Sequence, residues 1–221
     1  MGIQGGPDIV ENGLVLYLDA GNHRSYPGSG TTWTDLSGNG NDGTLINGPT
    51  FDGENQGSLV FDGANDYGSI DNNTLLNPSE IAIVAWIVPH ILHTGNFISK
   101  SFNSNYRFRV LSNGECSFID RGGTNQLYAN INYTPNKIIS LSATGDGLGL
   151  KIYQNGILVA SNNTAYGGAT TSDPVYIGTP VAGGVTEIFD GSIYSLQVYN
   201  RALTPQEILQ NYNTIKSRFG L

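Results

Sequence analysis

The chain has 221 residues, of which 38 % are hydrophobic and 30 are glycine. This length and composition suit one all-β domain with many short strands and tight turns, and they argue against a division into two domains. Ten basic residues against 18 acidic ones give a net charge of −8, which argues against the clustered positive surface that nucleic-acid binding requires.

Short apolar runs separated by turn residues predict β-strands along most of the chain. The run 81–88 is apolar on both alternating faces, which predicts a central strand covered on both sides. Asn155 and Gly156 supply the two positive-φ residues of a type I′ turn, so a hairpin is predicted there. The predicted strands are 13–19, 58–62, 80–88, 106–111, 116–120, 126–131, 138–143, 148–153, 157–160, 175–177 and 192–199.

Helix signals occur together only at the end of the chain, where they predict one short α-helix over residues 204–218. Thr204 suits the N-cap, Pro205 the first helical position and Glu207 the reciprocal position of a capping box. We expect the apolar stripe of this helix to pack on the core rather than on a neighbouring molecule. The stripe consists of Ile208, Leu209, Tyr212, Ile215 and Phe219.

Cys116 is the single cysteine, so an intrachain disulfide is impossible, and its place in a predicted strand indicates a buried, unreactive thiol. Residues 1–7 have neither a basic start nor an apolar core, and no apolar run reaches membrane-spanning length. We therefore expect no insertion into a membrane. Either a secretion signal has been removed, or the protein reaches the cell exterior by another route, as a phage particle released by lysis does.

Three separated motifs carry a resemblance to one superfamily. Residues 33–45 read WTDLSGNGNDGTL, residues 57–67 read GSLVFDGANDY and residues 198–208 read VYNRALTPQEI. Together they resemble the laminin-G-like, concanavalin A-like jelly-roll superfamily, in particular its bacterial and phage branch. The resemblance implies an all-β, two-sheet antiparallel jelly-roll sandwich over residues 13–221, including the C-terminal helix, after an N-terminal arm of residues 1–12. It also implies a binding or structural module more readily than an enzyme.

The loop in the first of these motifs offers oxygen ligands for a cation. Its polar side chains alternate with the spacing found in the first half of an EF-hand loop, but Ile46 occupies the position of the bidentate glutamate. A bound Ca²⁺, which the resemblance implies for many relatives, would therefore need further oxygens from Asp19, Asp62 or Asp66. The alternative is that the loop side chains cap turns by accepting backbone N–H bonds. The candidate ligands are Asp35, Asn39, Asn41 and Asp66.

Sugar recognition is the second possible chemistry. It requires an exposed aromatic ring for stacking, with polar groups nearby to bind hydroxyls. Four aromatic residues in polar surroundings are candidates, and we expect Tyr26 and Tyr166 in particular to be exposed. For Trp33, packing beneath its own loop is the favoured alternative. The four candidates are Tyr26, Trp33, Tyr128 and Tyr166.

The sequence offers no recognisable catalytic motif. The Glu-x-Asp-x-x-Glu strand of glycoside hydrolases that share this fold is absent, as are a Gly-x-Ser-x-Gly elbow and a His-Glu-x-x-His helix. His90 and His93 are three residues apart, but Pro89 disfavours the helix that would make them a zinc pair. We therefore expect a chain without enzymatic activity.

These features favour a non-enzymatic binding or structural module. The first hypothesis is a phage virion component, either a capsid decoration protein or a tail-associated adhesion protein, that binds surface glycans or other proteins of the virion surface. The alternative is an extracellular, stand-alone carbohydrate-binding lectin module of a larger bacterial protein. Both are compatible with a homo-oligomer, because symmetric self-association is common.

Overall fold

The computed structural model describes residues 8–102, 105–120, 125–184 and 186–221. Its strands form two antiparallel sheets of eight strands each, which pack face to face as the predicted jelly-roll sandwich. In chain order the strands are β1 Leu14–Asp19, β2 Thr32–Trp33, β3 Gly43–Ile46, β4 Thr50–Asp52, β5 Ser58–Asp62, β6 Tyr67–Ile70, β7 Ile81–Pro89, β8 Gly95–Lys100, β9 Arg107–Val110, β10 Glu115–Asp120, β11 Asn125–Asn130, β12 Ile139–Asp146, β13 Gly149–Gln154, β14 Ile157–Ser161, β15 Val175–Ile177 and β16 Asp190–Tyr199.

We call the two sheets the back sheet and the front sheet. The back sheet has the order β14-β13-β12-β7-β16-β5-β4, and β1 pairs with the second half of β16. The front sheet has the order β11-β10-β9-β8-β15-β6-β3-β2. Most neighbours in the back sheet are distant in sequence, so its pairing depends on long-range contacts rather than on local turns.

The main core lies between the two sheets. Alternate residues of each strand point into it, as strand geometry requires. The central strand β7 is covered on both sides: Ile83 and Ile87 face the main core, while Val84 and Trp86 face the opposite side of the back sheet. The prediction of a doubly covered strand is therefore confirmed. The largest side chains of the main core include Trp33, Phe61, Phe97, Phe108, Phe118 and Phe189.

The outer face of the back sheet is covered by helix α1, Pro205–Lys216, which continues into a 3₁₀ turn at Ser217–Phe219. The predicted capping box is present: the Thr204 hydroxyl accepts from the Glu207 backbone N–H, and the Glu207 carboxylate accepts from the Thr204 backbone N–H. Trp86 stacks on Tyr212 with a centroid distance of 5.4 Å and on Phe219 at 4.9 Å. The helix stripe therefore packs on the core, as expected, except that Leu209 is exposed.

The described part of the N-terminal arm, residues 8–12, contains no helix or strand but packs along α1. The backbone N–H of Val10 donates to Asn211 Oδ1 at 2.8 Å, and the side chain of Gln210 donates to the carbonyl of Asp8. Both ends of the described chain thus contribute to the same layer. No helix within the described ranges is long and apolar enough to cross a membrane.

Two further local predictions are confirmed. Asn155 and Gly156 have φ values of 50° and 80°, as the type I′ hairpin between β13 and β14 requires. Cys116 lies in β10 and is fully buried, and burial raises the pKa of its thiol to about 12. Five short strands, namely β2, β3, β4, β6 and β8, were absent from the sequence prediction because glycine and polar residues interrupt their apolar pattern.

Candidate functional site

The structure corrects the expected exposure of two candidate sugar-stacking residues. Tyr26 is only 3 % exposed because its hydroxyl donates to the Gly30 carbonyl and its ring packs on Phe51. Tyr166 is 5 % exposed because its ring lies directly over Gly145, where a side chain would collide with it. Trp33 is fully buried in the main core, so the favoured alternative for this residue is confirmed. These three rings are not available for stacking on a ligand.

Tyr128 is different, because its side chain is half exposed on the outer face of the front sheet. Strand pairing places it in a row that crosses four strands: Tyr128 of β11 is opposite Ser117 of β10, which is opposite Arg109 of β9, which is opposite Asn96 of β8. The row therefore combines one aromatic ring with a hydroxyl, a guanidinium and an amide.

A second row runs beside the first on the same face. It contains Gln126, Ile119, Arg107 and Ser99, again in register across four strands. The amide of Gln126 lies 3.5 Å from the Ser117 hydroxyl, so the two rows are in contact. The Ser117 hydroxyl is fully buried beneath Arg109 and Gln126. We call the area formed by Arg109, Gln126, Tyr128 and Glu187 the Tyr128 surface.

Glu187 lies in the segment between β15 and β16, and its side chain belongs to this surface. Its carboxylate accepts from Arg109 Nη1 at 2.6 Å, from Arg107 Nη1 at 3.2 Å and from the Asn96 amide at 3.0 Å. Its backbone has a φ of 55°, a conformation that non-glycine residues rarely adopt. The segment is held in this conformation by contacts with two strands that lie 78 to 80 residues earlier in the chain.

The pKa values of Glu187 and Arg107 in this cluster are shifted by burial and by the neighbouring groups. Burial opposes ionisation of Glu187, but the hydrogen bond from Asn96 and the charges of Arg109 and Arg107 outweigh it, so the pKa of Glu187 is lowered. Burial lowers the pKa of Arg107, an effect that the charge of Glu187 partly offsets. The Arg107 guanidinium also lies 4.3 Å from the ring centroid of Phe102. The arginines and Glu187 are thus fixed in place before any ligand arrives.

This arrangement suits a flat polar ligand with one apolar face. The exposed ring of Tyr128 can stack against C–H groups, while Arg109 and Gln126 supply donors and Glu187 supplies an acceptor. Because the polar groups are held by one another, little side-chain entropy is lost when they bind a ligand.

The predicted cation ligands in the loop after β2 are occupied by hydrogen bonds. Asp35 Oδ1 accepts from the backbone N–H groups of Tyr17 and Ser37, and Oδ2 accepts from the Ser37 hydroxyl and the Asn41 backbone N–H. The side-chain amides of Asn39 and Asn41 donate to carbonyls of β1. These bonds are those of the turn-capping alternative, and a cation at Asp35 would have to compete with four of them.

Asp66 is likewise part of a turn. Its carboxylate accepts from the backbone N–H of Asp62, whose own carboxylate accepts from the N–H groups of Ala64, Asn65 and Asp66. Burial, together with the charge of Asp62, raises the pKa of Asp66. Within the described ranges, no three His, Cys, Asp or Glu residues are grouped so that they could hold a metal ion. Calcium binding at these residues stays a prediction from the sequence.

The two histidines considered as a zinc pair have separate partners. His90 Nδ1 lies 3.2 Å from Asp190 Oδ1, and His90 Nε2 lies 3.2 Å from the Ser192 hydroxyl. The Nε2 atom of His93 contacts the carbonyl of Ile188. Each imidazole is therefore positioned by its own hydrogen bonds.

A polar cleft of about 490 Å³ lies between β1 and α1. Its main charged groups already bind each other, since Arg218 pairs with Asp19 at 2.8 Å and also donates to the carbonyls of Asn55 and Gly57. The Tyr17 hydroxyl donates to Asp19 as well. The cleft thus ties the C-terminus to β1, and its ring, that of Tyr17, is less exposed than that of Tyr128.

Sequence reasoning identified Tyr128 but not the polar groups around it. Arg107 and Arg109 are two residues apart in a predicted strand, and this spacing could have placed both on one face. Nothing in the sequence around Glu187 indicates that its carboxylate binds them, because the contact depends on how β15 and β16 are connected across the sheet.

Comparison with known proteins agrees with this fold. A family model described as the concanavalin A-like lectin/glucanases superfamily matches residues 62–209. The chain belongs to this family. The comparison with curated proteins gives no match.

Several solved structures share the family fold. The binding domain of Paraclostridial mosquitocidal protein 1 is 16 % identical with a TM-score of 0.73, and the match covers 92 % of this chain and 52 % of that one. A structure of botulinum neurotoxin type C, whose cell entry depends on interaction with two ganglioside molecules, is 14 % identical with a TM-score of 0.73. The match covers 93 % of this chain and 52 % of that one. Domain 4 of AbnA, a GH43 extracellular arabinanase from Geobacillus stearothermophilus solved with arabinotriose, is 20 % identical (TM-score 0.68; 90 % and 98 % covered). The chain spans about half the length of the two toxin structures.

Proposed function

We propose that this chain is a glycan-binding module and that the Tyr128 surface is its contact area. The observation that carries the proposal is the half-exposed ring of Tyr128, in register with Ser117 and Arg109 and next to Gln126. A sugar ring placed on Tyr128 would bury its C–H face, and its hydroxyls would reach groups that are already oriented. The family fold supports this proposal, as do two of the solved neighbours, a neurotoxin whose cell entry depends on gangliosides and an arabinanase domain in complex with arabinotriose.

We propose that this surface binds glycans without cleaving the glycosidic bond. Glycosidases need a carboxylic acid with a raised pKa to protonate the leaving group. At this surface the pKa of Glu187 is lowered and its carboxylate is held by two arginines. A group in that state is an acceptor for sugar hydroxyls rather than a proton donor.

The test is a glycan-array screen followed by calorimetric titration of the strongest ligand. Tyr128→Ala should weaken binding about five- to twelvefold, since an aromatic contact of this kind contributes about 1 to 1.5 kcal/mol. Tyr128→Trp should retain binding, and Phe51→Ala, which removes an exposed ring from the other sheet, should leave it unchanged. Binding that survives Tyr128→Ala, or the absence of any ligand on a broad array, would contradict the proposal.

A role on a phage particle is the second candidate, and the motif resemblance to the phage branch favours it. The single, buried Cys116 fits assembly in a reducing cytoplasm, because the fold needs no disulfide. Mass spectrometry of purified particles from the source phage or prophage should then detect this chain at a stoichiometric level. Its absence from such particles would favour the alternative of an extracellular lectin module.

A further inference from the structure

On the outer face of the back sheet, a histidine side chain contacts a serine on one side and an aspartate on the other. Asp190 and Ser192 are two residues apart on β16, so both side chains lie on one face. His90 follows directly after β7, the neighbouring strand, and its backbone N–H donates to the Asp190 carbonyl at 3.0 Å. The imidazole then lies between the two side chains, 3.2 Å from Asp190 Oδ1 through Nδ1 and 3.2 Å from Ser192 Oγ through Nε2.

The order of these contacts is that of a hydrolytic triad. With its proton on Nδ1, His90 donates to the Asp190 carboxylate, and Nε2 is left to accept the proton of the Ser192 hydroxyl. A nucleophile within hydrogen-bond reach of a base, with the base oriented by a third group, is the arrangement that activates a serine.

Other buried serines of the same sheet show that this arrangement is not a general requirement of the fold. The hydroxyls of Ser58, Ser140 and Ser195 are buried and have no hydrogen-bond partner within the described ranges. The sheet therefore tolerates a serine without an imidazole beside it. Ser192 differs in having an imidazole that is itself fixed by a carboxylate.

His90 and Ser192 line a groove of about 350 Å³ between β16, the segment before β12 and the C-terminal turn, and the carboxylates of Asp52 and Glu54 line it as well. Val88, Ile138 and Phe219 supply apolar contacts along this groove. Asn136 and Lys137 line it as well and are exposed. The Asn136 amide already donates to the His90 carbonyl, so the Lys137 ammonium is the donor that could stabilise a negatively charged oxygen during acyl transfer.

We propose that Ser192, His90 and Asp190 form a hydrolytic site for small acyl esters. The size of the groove fits a short acyl group, such as an acetyl. Because the triad lies on the outer face of the back sheet and the Tyr128 surface on that of the front sheet, this proposal is independent of the proposed glycan binding. Ser192 and His90 are the catalytic residues, and Asp190 is a positioning residue.

In the reaction, Ser192 Oγ attacks the acyl carbonyl carbon while His90 Nε2 takes the serine proton. The ester C–O bond then breaks, and His90 returns that proton to the oxygen of the departing alcohol. Water next attacks the acyl-serine carbonyl and gives one proton to His90. His90 passes that proton to Ser192 Oγ as the acyl–serine bond breaks, which releases the carboxylic acid and regenerates the serine hydroxyl. The net change is hydrolysis of one ester by one water. This site departs from the expectation of a chain without enzymatic activity.

The experiment uses the full chain with p-nitrophenyl acetate, followed by labelling with a fluorophosphonate probe and peptide mass spectrometry. Hydrolysis above the buffer rate and a label on Ser192 are expected. Ser192→Ala and His90→Gln should abolish both, while Ser140→Ala, which removes a buried hydroxyl from the same sheet, should retain both. Thermal unfolding of each variant verifies that it is folded.

Hydrolysis at the buffer rate by the folded wild-type chain would overturn the proposal, and so would activity that persists in Ser192→Ala. Because p-nitrophenyl acetate contains no sugar, this outcome is independent of glycan binding. A chain that binds glycans but does not hydrolyse the ester would refute only the triad. A chain that hydrolyses the ester but binds no glycan would refute only the proposed function.

Discussion

The outer faces of the two sheets are used in different ways. On the back sheet, α1 and residues 8–12 cover most of the face, and Trp86 is completely enclosed by Tyr212 and Phe219. On the front sheet, the corresponding face presents Tyr128 to solvent and holds its charges in an ion-pair cluster around Glu187. Where α1 covers it, the back sheet thus has a second core, whereas the front sheet has a polar surface.

The two faces should contribute differently to the free energy of unfolding. Apolar burial contributes most of the favourable free energy of folding, so removing a ring from the back face should be costly. Polar groups at a partly exposed surface contribute less, because water competes for them in the unfolded chain. Substitutions of polar groups on the front face should therefore cost less stability than substitutions beneath α1 on the back face.

The largest effect should come from Trp86→Ala. The side chain is fully buried between the sheet and two rings, so its loss should lower the free energy of unfolding by about 3 to 5 kcal/mol. Urea denaturation followed by fluorescence or circular dichroism measures this change. Tyr128→Ala, the matched change on the other face, should alter stability by no more than about 0.5 kcal/mol. Equal losses in the two variants would contradict the division of roles between the faces.

A smaller effect is expected from Glu187→Gln. The change leaves Arg107 and Arg109 without their counter-charge, and their side chains are only 8 % and 13 % exposed. We expect a loss of about 1 to 3 kcal/mol in the free energy of unfolding, measured by the same denaturation. A neutral result would mean that the cluster contributes to binding alone.

The stability that Glu187 contributes should depend on pH. Because the pKa of Glu187 in the folded chain lies below its ordinary value of 4.5, its contribution is complete above that pH. The contribution is lost progressively as the pH falls from 4.5 through the lowered folded value. The difference in stability between wild type and Glu187→Gln should therefore shrink between pH 6 and pH 3. A constant difference across this range would show that ionisation of Glu187 does not stabilise the fold.

The smallest of these effects concerns the start of α1. Thr204→Ala removes the side-chain cap of the Glu207 backbone N–H, which should cost about 1 kcal/mol. Thermal unfolding of this variant should be compared with that of Thr164→Ala, an exposed threonine outside helices and strands, which should not change. If the two variants have the same midpoint, packing of α1 on the back sheet makes the cap redundant.

Local features of the fold were predictable from sequence. The capping box at Thr204 and Glu207 and the hairpin turn at Asn155 and Gly156 both depend on contacts within a few residues, so the sequence contains all the information they need. The apolar pattern of β7 likewise predicted burial on both sides. Short strands with glycine or polar residues escaped detection, because their conformation is set by neighbouring strands.

The sequence by itself determined the antiparallel strands, the single C-terminal helix and the superfamily, because turns, caps and apolar alternation act over short distances. The tertiary structure alone decided which aromatic rings are buried and which polar groups meet. Tyr128 is exposed while Tyr166 is buried, because the Tyr166 ring packs on Gly145 and Phe118 of two other strands. The contacts of Glu187 with the arginines, and of His90 with Ser192, join residues about 80 and 102 positions apart. Strand pairing brings such residues together, and no local pattern encodes it.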